Sequence, residues 1–292
     1  MSAPEWWPTL LSDLQAEHID LDRIASGIDE NAWLRPTPAE GWDVRDSIGH
    51  LAYFDDAARM AIEDPAGFKA QVEGVRSLRF DPIAEHLAKG RAMNGALMLQ
   101  WWRDARMSLL QCLEHADPVS RIAWYGPSMG MRSFVTARLM ETWAHGQDVC
   151  DALGVSREPT VRLRHIADLG VRTREFSYAV RGIETPTEEI LVELTAPALP
   201  SSGNDSGGGG VWRWVAAGGG KVRDGGEGST LPAQSGGSIR GSALDFCLIV
   251  TERRNLADVS LRIDGEKALE WMQIAQAFAG PPGPGRPPLP SS

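Results

Sequence analysis

Residues 42–51, WDVRDSIGHL, and residues 141–149, ETWAHGQDV, decide the fold of this chain. The first segment opens a predicted helix over residues 44–63, and Asp43 just before it has a side chain suited to the N-cap. The second segment lies inside a predicted helix over residues 132–152. Both segments set ionisable side chains among apolar ones, a pattern that favours helices packed against each other.

Three side chains of these helices are candidate metal ligands. Glu141 and His145 lie four residues apart on one helix face, so a carboxylate and an imidazole can reach the same ion. His50 is flanked by Ile48 and Leu51 and is expected to face the bundle core. A set of two histidines and one glutamate suits Zn²⁺ and leaves coordination positions open. The spacing alone fits a solvated Glu–His pair and a buried core histidine equally well.

Three further helices are predicted in the first part of the chain. Apolar residues recur at helical spacing over 5–28, a long helix is expected over 82–115, and another over 161–180. Five helices joined by short loops indicate an up-and-down bundle, which we expect to occupy residues 1–182.

The pattern changes after residue 182, where short alternating runs and glycine-rich stretches replace the helical spacing. Residues 201–210 and 218–237 are expected to be turns and flexible loops, too irregular for a phosphate-binding fingerprint. The fold class is therefore α+β: a helical bundle, then a small α+β domain over 185–280, then a disordered Pro/Gly tail over 281–292. Its strands are expected at 189–195, 211–215, 238–241 and 259–263, and its helices at 243–253 and 266–278.

Composition and charge exclude several classes of function. The 292 residues are 42% hydrophobic and 23% charged, which is ordinary for a globular protein of two domains. No apolar run approaches the roughly 18 residues of a membrane span, and the N-terminus lacks a secretory pattern, so a cytoplasmic monomer or homodimer is expected. The net charge of −10 argues against nucleic acid as a partner. Three dispersed cysteines predict free thiols.

Residues 42–51 and 141–149 together resemble the signature segments of the DinB-like metal-binding bundles. The match is closer to their actinobacterial branch, the mycothiol-dependent maleylpyruvate isomerase family, and it covers the bundle. The resemblance implies that His50, Glu141 and His145 hold a divalent metal, usually zinc, and that mycothiol is the thiol cosubstrate.

The second domain resembles the sterol carrier protein fold of the same family. Residues 241–253 are similar to the family's apolar helix that ends in an LTGR-type arginine, here Arg253, although Glu252 replaces the glycine before it. Arg253 either binds an acidic group of the substrate through a bidentate contact or caps the helix C-terminus. Residues 271–283 resemble an uncharacterised subgroup rather than the isomerase itself.

Other polar and aromatic residues are expected to have lesser roles. His18 is interpreted as a core residue, with support of a metal ligand as the alternative. Three histidines are expected at the surface, and three charged residues near the ligands are expected to be solvated. Candidates for lining a cavity are Trp42, Tyr53 and Trp143. The surface histidines are His86, His115 and His165, and the solvated charges are Arg45, Asp46 and Asp148.

Three functions agree with these observations. The first is a metal-dependent enzyme that activates a low-molecular-weight thiol for isomerisation of, or S-transfer to, a small electrophile. The second is a hydrolase or lyase in which the same metal activates water. The third is a protein that binds a small ligand and holds a structural metal, which usually takes four protein ligands.

Overall fold

The computed structural model describes residues 3–77, 82–126, 128–198, 210–218, 220–225 and 235–290. The chain forms two compact units, Met1–Arg157 and Glu158–Ser292. The first is helical and the second contains a five-stranded sheet, which confirms the α+β class. None of the described helices combines the length and the apolar character needed to cross a bilayer.

The first unit is built around one central helix, α2, which packs against α5, α6, α4 and α3, while α1 packs along α6. A two-stranded antiparallel hairpin, β1 with β2, precedes α6. The helices are α1 Trp6–Ala25, α2 Val44–Glu63, α3 Pro65–Ser77, α4 Pro82–Arg91, α5 Gly95–His115 and α6 Met131–Leu153, and the strands are β1 Arg121–Ile122 and β2 Met129–Gly130.

The N-terminus of α2 is capped by Asp43, as the sequence predicts, and the cap is a reciprocal capping box with Asp46. The Asp43 carboxylate accepts a hydrogen bond from the Asp46 amide at 2.8 Å, and the Asp46 carboxylate accepts one from the Asp43 amide at 3.1 Å. Such a cap stabilises a helix by about 1 kcal/mol. Asp46 is buried and also binds the Arg91 guanidinium at 2.7 Å, so the expectation of a solvated Asp46 is wrong.

The long helix expected over 82–115 is two helices. α4 ends at Arg91, and α5 begins at Gly95 with Asn94 as its N-cap, because the Asn94 side chain accepts a hydrogen bond from the Leu97 amide at 2.9 Å. The Glu30 carboxylate accepts from the Gly95 amide at 3.0 Å and so also satisfies this helix start. α3, which the sequence pattern did not predict, begins at a proline, a residue suited to the first position of a helix.

The sheet of the second unit has the strand order β5-β4-β3-β6-β7, in which β3 and β6 are parallel and the other pairs antiparallel. Val192 of the central strand lies opposite Trp214 on one side and Ile239 on the other. The strands are β3 Glu189–Thr195, β4 Val211–Ala216, β5 Val222–Asp224, β6 Ser235–Ser242 and β7 Arg262–Asp264, and the helices are α7 Leu163–Arg172, α8 Arg174–Ala179, α9 Ala243–Val250 and α10 Glu266–Ile274.

The helices α7 and α8 belong to the second unit, which differs from the expectation of a bundle over 1–182. Leu163, Ile166 and Val171 form the buried face of α7, and this helix packs against α9 and β4. Close packing is permitted at Gly170, where a Cβ atom would lie 2.8 Å from the Val250 side chain. Amphipathic spacing therefore predicted the helix but not the unit that covers it.

Of the glycine-rich stretches expected to be loops, residues 222–224 form β5 and residues 235–237 begin β6, so that expectation is wrong there; most of the remaining residues lie outside the described ranges. Residues 281–290 have no regular secondary structure, as expected from their composition. They are nevertheless held by hydrogen bonds, which differs from the expectation of a disordered tail. The Asn255 side-chain amide donates to the Arg286 carbonyl at 2.7 Å, and the Leu289 amide donates to the Asp258 carboxylate at 3.0 Å.

Candidate metal centre

The structure brings the three predicted ligands together between α2 and α6. Glu141 Oε2 lies 3.7 Å from His50 Nε2 and 3.4 Å from His145 Nε2. One ligand atom from each of the three residues lies within 4.8 Å of the others. Their role as ligands stays a prediction, but the distances meet its geometric requirement.

The electrostatics of this group suit a divalent cation. Burial, followed by the neighbouring His145, lowers the pKa of His50 to about 3, so the His50 imidazole is neutral and keeps a lone pair for a metal. Burial opposes ionisation of Glu141, but hydrogen bonds with His145 and His50 outweigh it and hold its pKa well below the usual value. Two imidazoles and one carboxylate form a donor set that fits Zn²⁺.

A buried carboxylate lies near the second ring nitrogen of one of the histidines. Asp148 Oδ2 lies 3.6 Å from His145 Nδ1, and Asp148 is fully buried, so the expectation that it is a solvated charge is wrong. A carboxylate on the far nitrogen of a ligating histidine fixes the ring orientation and raises its basicity. Asp148 follows His145 by three residues, which places it on the same face of α6.

Aromatic rings of the first unit lie around the candidate ligands. Trp42 stacks on His145 with a centroid distance of 5.7 Å and an interplanar angle of 11°, and it lies 5.3 Å from the His50 ring. Phe54, one turn after His50 on α2, lies 4.5 Å from the same imidazole. His86 of α4 lies 5.1 Å from His50 and is fully buried, so its expected surface position is wrong.

The other two cavity-lining candidates lie in different places. Tyr53 contacts Phe54 and His86, at centroid distances of 5.2 and 5.6 Å, and so extends the aromatic surroundings. Trp143 is buried, and its carbonyl accepts a hydrogen bond from Arg157 at 3.0 Å. Only Trp42 and Tyr53 therefore join the ring cluster near the ligands.

A buried ion pair fixes the two helices that carry the ligands. Arg138 of α6 donates to Asp55 of α2 at 2.8 Å, and both side chains are almost fully buried. His18 of α1 lies beside this pair, 4.0 Å from Asp55, and contacts the Trp102 ring. His18 is thus a core residue, as interpreted from the sequence, and its described ring and ion contacts are not with the ligands.

Arg253 lies just beyond the end of α9 in the second unit. Its amide donates to the Leu248 carbonyl at 2.7 Å, and its guanidinium donates to the Thr251 carbonyl at 2.5 Å, which agrees with the capping interpretation. Glu252 adopts a left-handed conformation with φ of 56°, the conformation that favours glycine. The corner therefore keeps a glycine-type backbone although a glutamate occupies it; substrate binding by Arg253 stays a prediction.

Comparison with known proteins agrees with the geometry. Residues 14–150 match the model of the mycothiol maleylpyruvate isomerase N-terminal domain. Uncharacterized proteins of two Mycobacterium tuberculosis strains, H37Rv and CDC 1551, are 40% identical to this chain over 276 residues, which is 94% of this chain and 97% of theirs.

Solved structures show the same fold over most of the chain. The crystal structure of the mycothiol-dependent maleylpyruvate isomerase covers 87% of this chain and 92% of its own, with a TM-score of 0.53 and 16% identity. That of a histidine-to-alanine mutant covers 89% and 95%, with a TM-score of 0.54 and 15% identity. The chain therefore belongs to one family with the uncharacterised mycobacterial proteins; its residues 14–150 match the mycothiol maleylpyruvate isomerase N-terminal domain, and its fold is that of the isomerase.

Proposed function

We propose that this protein is a metal-dependent enzyme that uses a low-molecular-weight thiol to isomerise a small electrophile or to form a thioether with it. The supporting observation is the convergence of His50, Glu141 and His145 as a three-ligand group. Among the described residues this group holds three ligands, whereas a structural zinc usually holds four. The names of the family model and of the solved relatives indicate mycothiol as the thiol.

When bound, a zinc-type cation lowers the pKa of a coordinated thiol, so that thiolate is available near neutral pH. The chain's own residues prepare the site for this role. His50 supplies a neutral imidazole, His145 supplies a second imidazole, and Glu141 supplies one negative charge. The buried Asp148 carboxylate lies 3.6 Å from His145 Nδ1, the position from which a carboxylate orients a ligating histidine. Trp42 stacks on the His145 ring.

The exposure of the ligands distinguishes this group from a closed structural site. The side chains of His50 and Glu141 keep 14% and 22% of their surface accessible, whereas Asp55, a few residues further along α2, keeps none. A ligand group of this kind is accessible to a small molecule and can leave a coordination position open. Such an open position is what a thiol cosubstrate requires.

The first test measures metal and thiol binding together. Purified protein is analysed for zinc content, and mycothiol binding is measured by calorimetry on the wild type and on Glu141→Gln. We expect about one zinc per chain and thiol binding in the wild type. In Glu141→Gln the loss of the carboxylate charge should reduce metal affinity by about 10-fold or more.

His115→Gln is the matched control, because His115 is an exposed histidine at the end of α5. It should retain wild-type zinc content and thiol affinity. Absence of metal from the wild type would contradict the proposal at its base. Metal without thiol binding would instead assign the site to the activation of water or to a structural role.

A further inference from the structure

We infer that the electrophile of this site has a planar aromatic body, which lies against a wall of aromatic side chains beside the metal ligands. The inference rests on the function proposed above and names the substrate class of the same site. The wall, as defined here, consists of Trp42, Phe54, Trp124 and Tyr125, all half-buried. It belongs entirely to the first unit.

The wall is continuous from the ligands outward. Phe54 contacts the His50 ring at 4.5 Å, and it contacts Tyr125 at 5.6 Å and Trp124 at 6.1 Å. Trp124 and Tyr125 are in T-shaped contact with each other at 5.0 Å. Trp42 joins the wall through the candidate ligands, because its ring lies 5.3 Å from His50 and stacks on His145.

The local fold explains how these rings come together. Phe54 follows His50 by one helical turn, so the two side chains share one face of α2. Trp124 and Tyr125 lie in the connection between β1 and β2, which the hairpin pairing holds in place. Beneath them, the fully buried Phe68 stacks on Trp124 at 5.5 Å with an interplanar angle of 12°.

The residues of the wall differ in burial from the core aromatic residues behind them. Phe68 and Phe134 are each 1% exposed and support Trp124 from within the unit. The four residues of the wall are each half-buried, although full burial would be the favourable state for an aromatic side chain. Accessible aromatic surface next to a group of ligands is typical of a small-molecule site.

The rings of the wall suit an aromatic body. A ring stacked on aromatic side chains gains about 0.5–1.5 kcal/mol beyond its buried area, whereas a carboxylate requires a cation or several donors.

Thioether formation with an aromatic electrophile that carries a leaving group needs no reagent besides the thiol. With 1-chloro-2,4-dinitrobenzene, the thiolate sulfur bonds to the ring carbon that bears chlorine. The carbon–chlorine bond breaks, chloride leaves with the electron pair, and the thiol proton passes to the buffer. Oxidation and reduction are not involved.

The test compares two thioethers that share N-acetylcysteine and differ only in the S-substituent, 2,4-dinitrophenyl or carboxymethyl. Calorimetry on the zinc-loaded full chain should show the dinitrophenyl compound binding about 10-fold tighter, a difference of about 1.4 kcal/mol. Trp124→Leu should reduce this ratio to about 3-fold or less, because its flat face is lost. Trp124→Phe keeps a ring and should retain most of the preference.

Trp6→Leu is the matched control, because Trp6 is half-buried and lies against Trp7 and Arg132 instead of the wall. It should leave the ratio unchanged. Zinc content and melting temperature are measured for each variant; if Trp124→Leu does not fold, Phe54→Leu takes its place. Equal affinity of the two thioethers, or tighter binding of the carboxymethyl compound, would overturn the inference.

Turnover of 1-chloro-2,4-dinitrobenzene with mycothiol, followed by product absorbance, separates this inference from the proposed function. Faster turnover of this compound than of maleylpyruvate supports both. Preferred binding of the aromatic thioether without any thiol consumption contradicts the enzyme but supports the aromatic site. Thiol consumption with maleylpyruvate alone supports the enzyme and overturns the aromatic substrate class.

Discussion

The two units of this protein bury charged side chains in different ways. In the first unit, Asp55 of α2 and Arg138 of α6 pair with each other inside the core. In the second unit, Arg174 of α8 is 2% exposed, but it donates to backbone carbonyls of the 186–188 connection and of Ala216. A single substitution can remove the side-chain partner of Arg138, but no substitution removes the backbone carbonyls that accept hydrogen bonds from Arg174.

This difference concerns the candidate metal centre directly. α2 carries both Asp55 and the candidate ligand His50, while α6 carries both Arg138 and the candidate ligand Glu141. One buried ion pair therefore holds the two ligand-bearing helices in register. We expect the first unit to be more sensitive than the second to the loss of a single charged side chain, and the following experiments test this comparison.

The largest effect is expected for Asp55→Ala. The substitution leaves the Arg138 guanidinium buried without its carboxylate, which costs about 3–5 kcal/mol of unfolding free energy. Denaturant unfolding monitored by tryptophan fluorescence measures the change. The double variant Asp55→Leu with Arg138→Met should recover most of it, because two apolar side chains leave no buried charge.

Glu193→Ala is the control for that experiment in the second unit. Glu193 of β3 accepts hydrogen bonds from Arg213 at 2.9 Å and from Arg240 at 2.6 Å, but the arginines are partly solvated. Its removal should cost about 1 kcal/mol or less. A loss as large as that of Asp55→Ala would contradict the proposed difference between the units.

A smaller effect is expected for Arg174→Met. The variant keeps much of the apolar stem but loses charge-assisted hydrogen bonds to the carbonyls of Glu188 and Ala216, which lie 3.0 and 2.9 Å from the guanidinium. We expect a loss of about 2 kcal/mol in unfolding free energy. Arg174→Lys keeps the positive charge but loses the forked guanidinium donors. Its unfolding free energy should therefore lie between those of the wild type and Arg174→Met. Wild-type stability of Arg174→Met would show that these bonds contribute nothing net.

The pH dependence of stability gives a third test, centred on His18. Burial, with the charges of Arg106 and Arg138, lowers the pKa of His18 to about 3, whereas the unfolded chain has a value near 6.5. Between these values the unfolded state binds one more proton than the folded state. Stability from this group is therefore complete above about pH 6.5 and falls by about 1.4 kcal/mol per pH unit below it.

His18→Gln removes this proton-binding group while keeping a neutral polar side chain. Unfolding free energies measured from pH 6.5 down to 4.5 should therefore decrease less steeply in the variant by about 1.4 kcal/mol per unit. His115→Gln, at an exposed histidine, should keep the wild-type slope. Parallel curves for wild type and His18→Gln would contradict a buried neutral imidazole.

Local sequence signals predicted the parts of the site that depend on one helix. The Asp43 cap and the spacing of Glu141 and His145 are set within a few residues, so the pattern contained them. The sequence also contains a local signal for the break at Asn94, an N-cap residue followed by glycine, but the expectation of one continuous helix did not take it into account. The apolar flanks of His50 made it a candidate third ligand, and the resemblance of the two segments then supported it, because a contact between helices has no local spacing.

Features that arise from packing between elements were not predicted. His86 lies in a segment with charged neighbours, and its burial results from the packing of α4 against α2. Asp148 likewise reads as a solvated charge until the buried face of α6 is known. The helix over 163–172 was expected in the bundle because amphipathic spacing shows that a face is buried without showing what covers it.

The smallest effect is expected at Glu252, where the second unit tolerates a strained residue. Glu252 has φ of 56°, a conformation costing about 1 kcal/mol for a residue with a Cβ atom, and its carboxylate lies 3.7 Å from the Arg181 guanidinium. Glu252→Ala and Glu252→Gly both remove the carboxylate, but only glycine removes the strain. The glycine variant should therefore be more stable than the alanine variant by about 1 kcal/mol in denaturant unfolding. Equal stability of the alanine and glycine variants would mean that the backbone at residue 252 relaxes to an unstrained conformation. The left-handed shape of this corner would then not depend on which residue precedes Arg253.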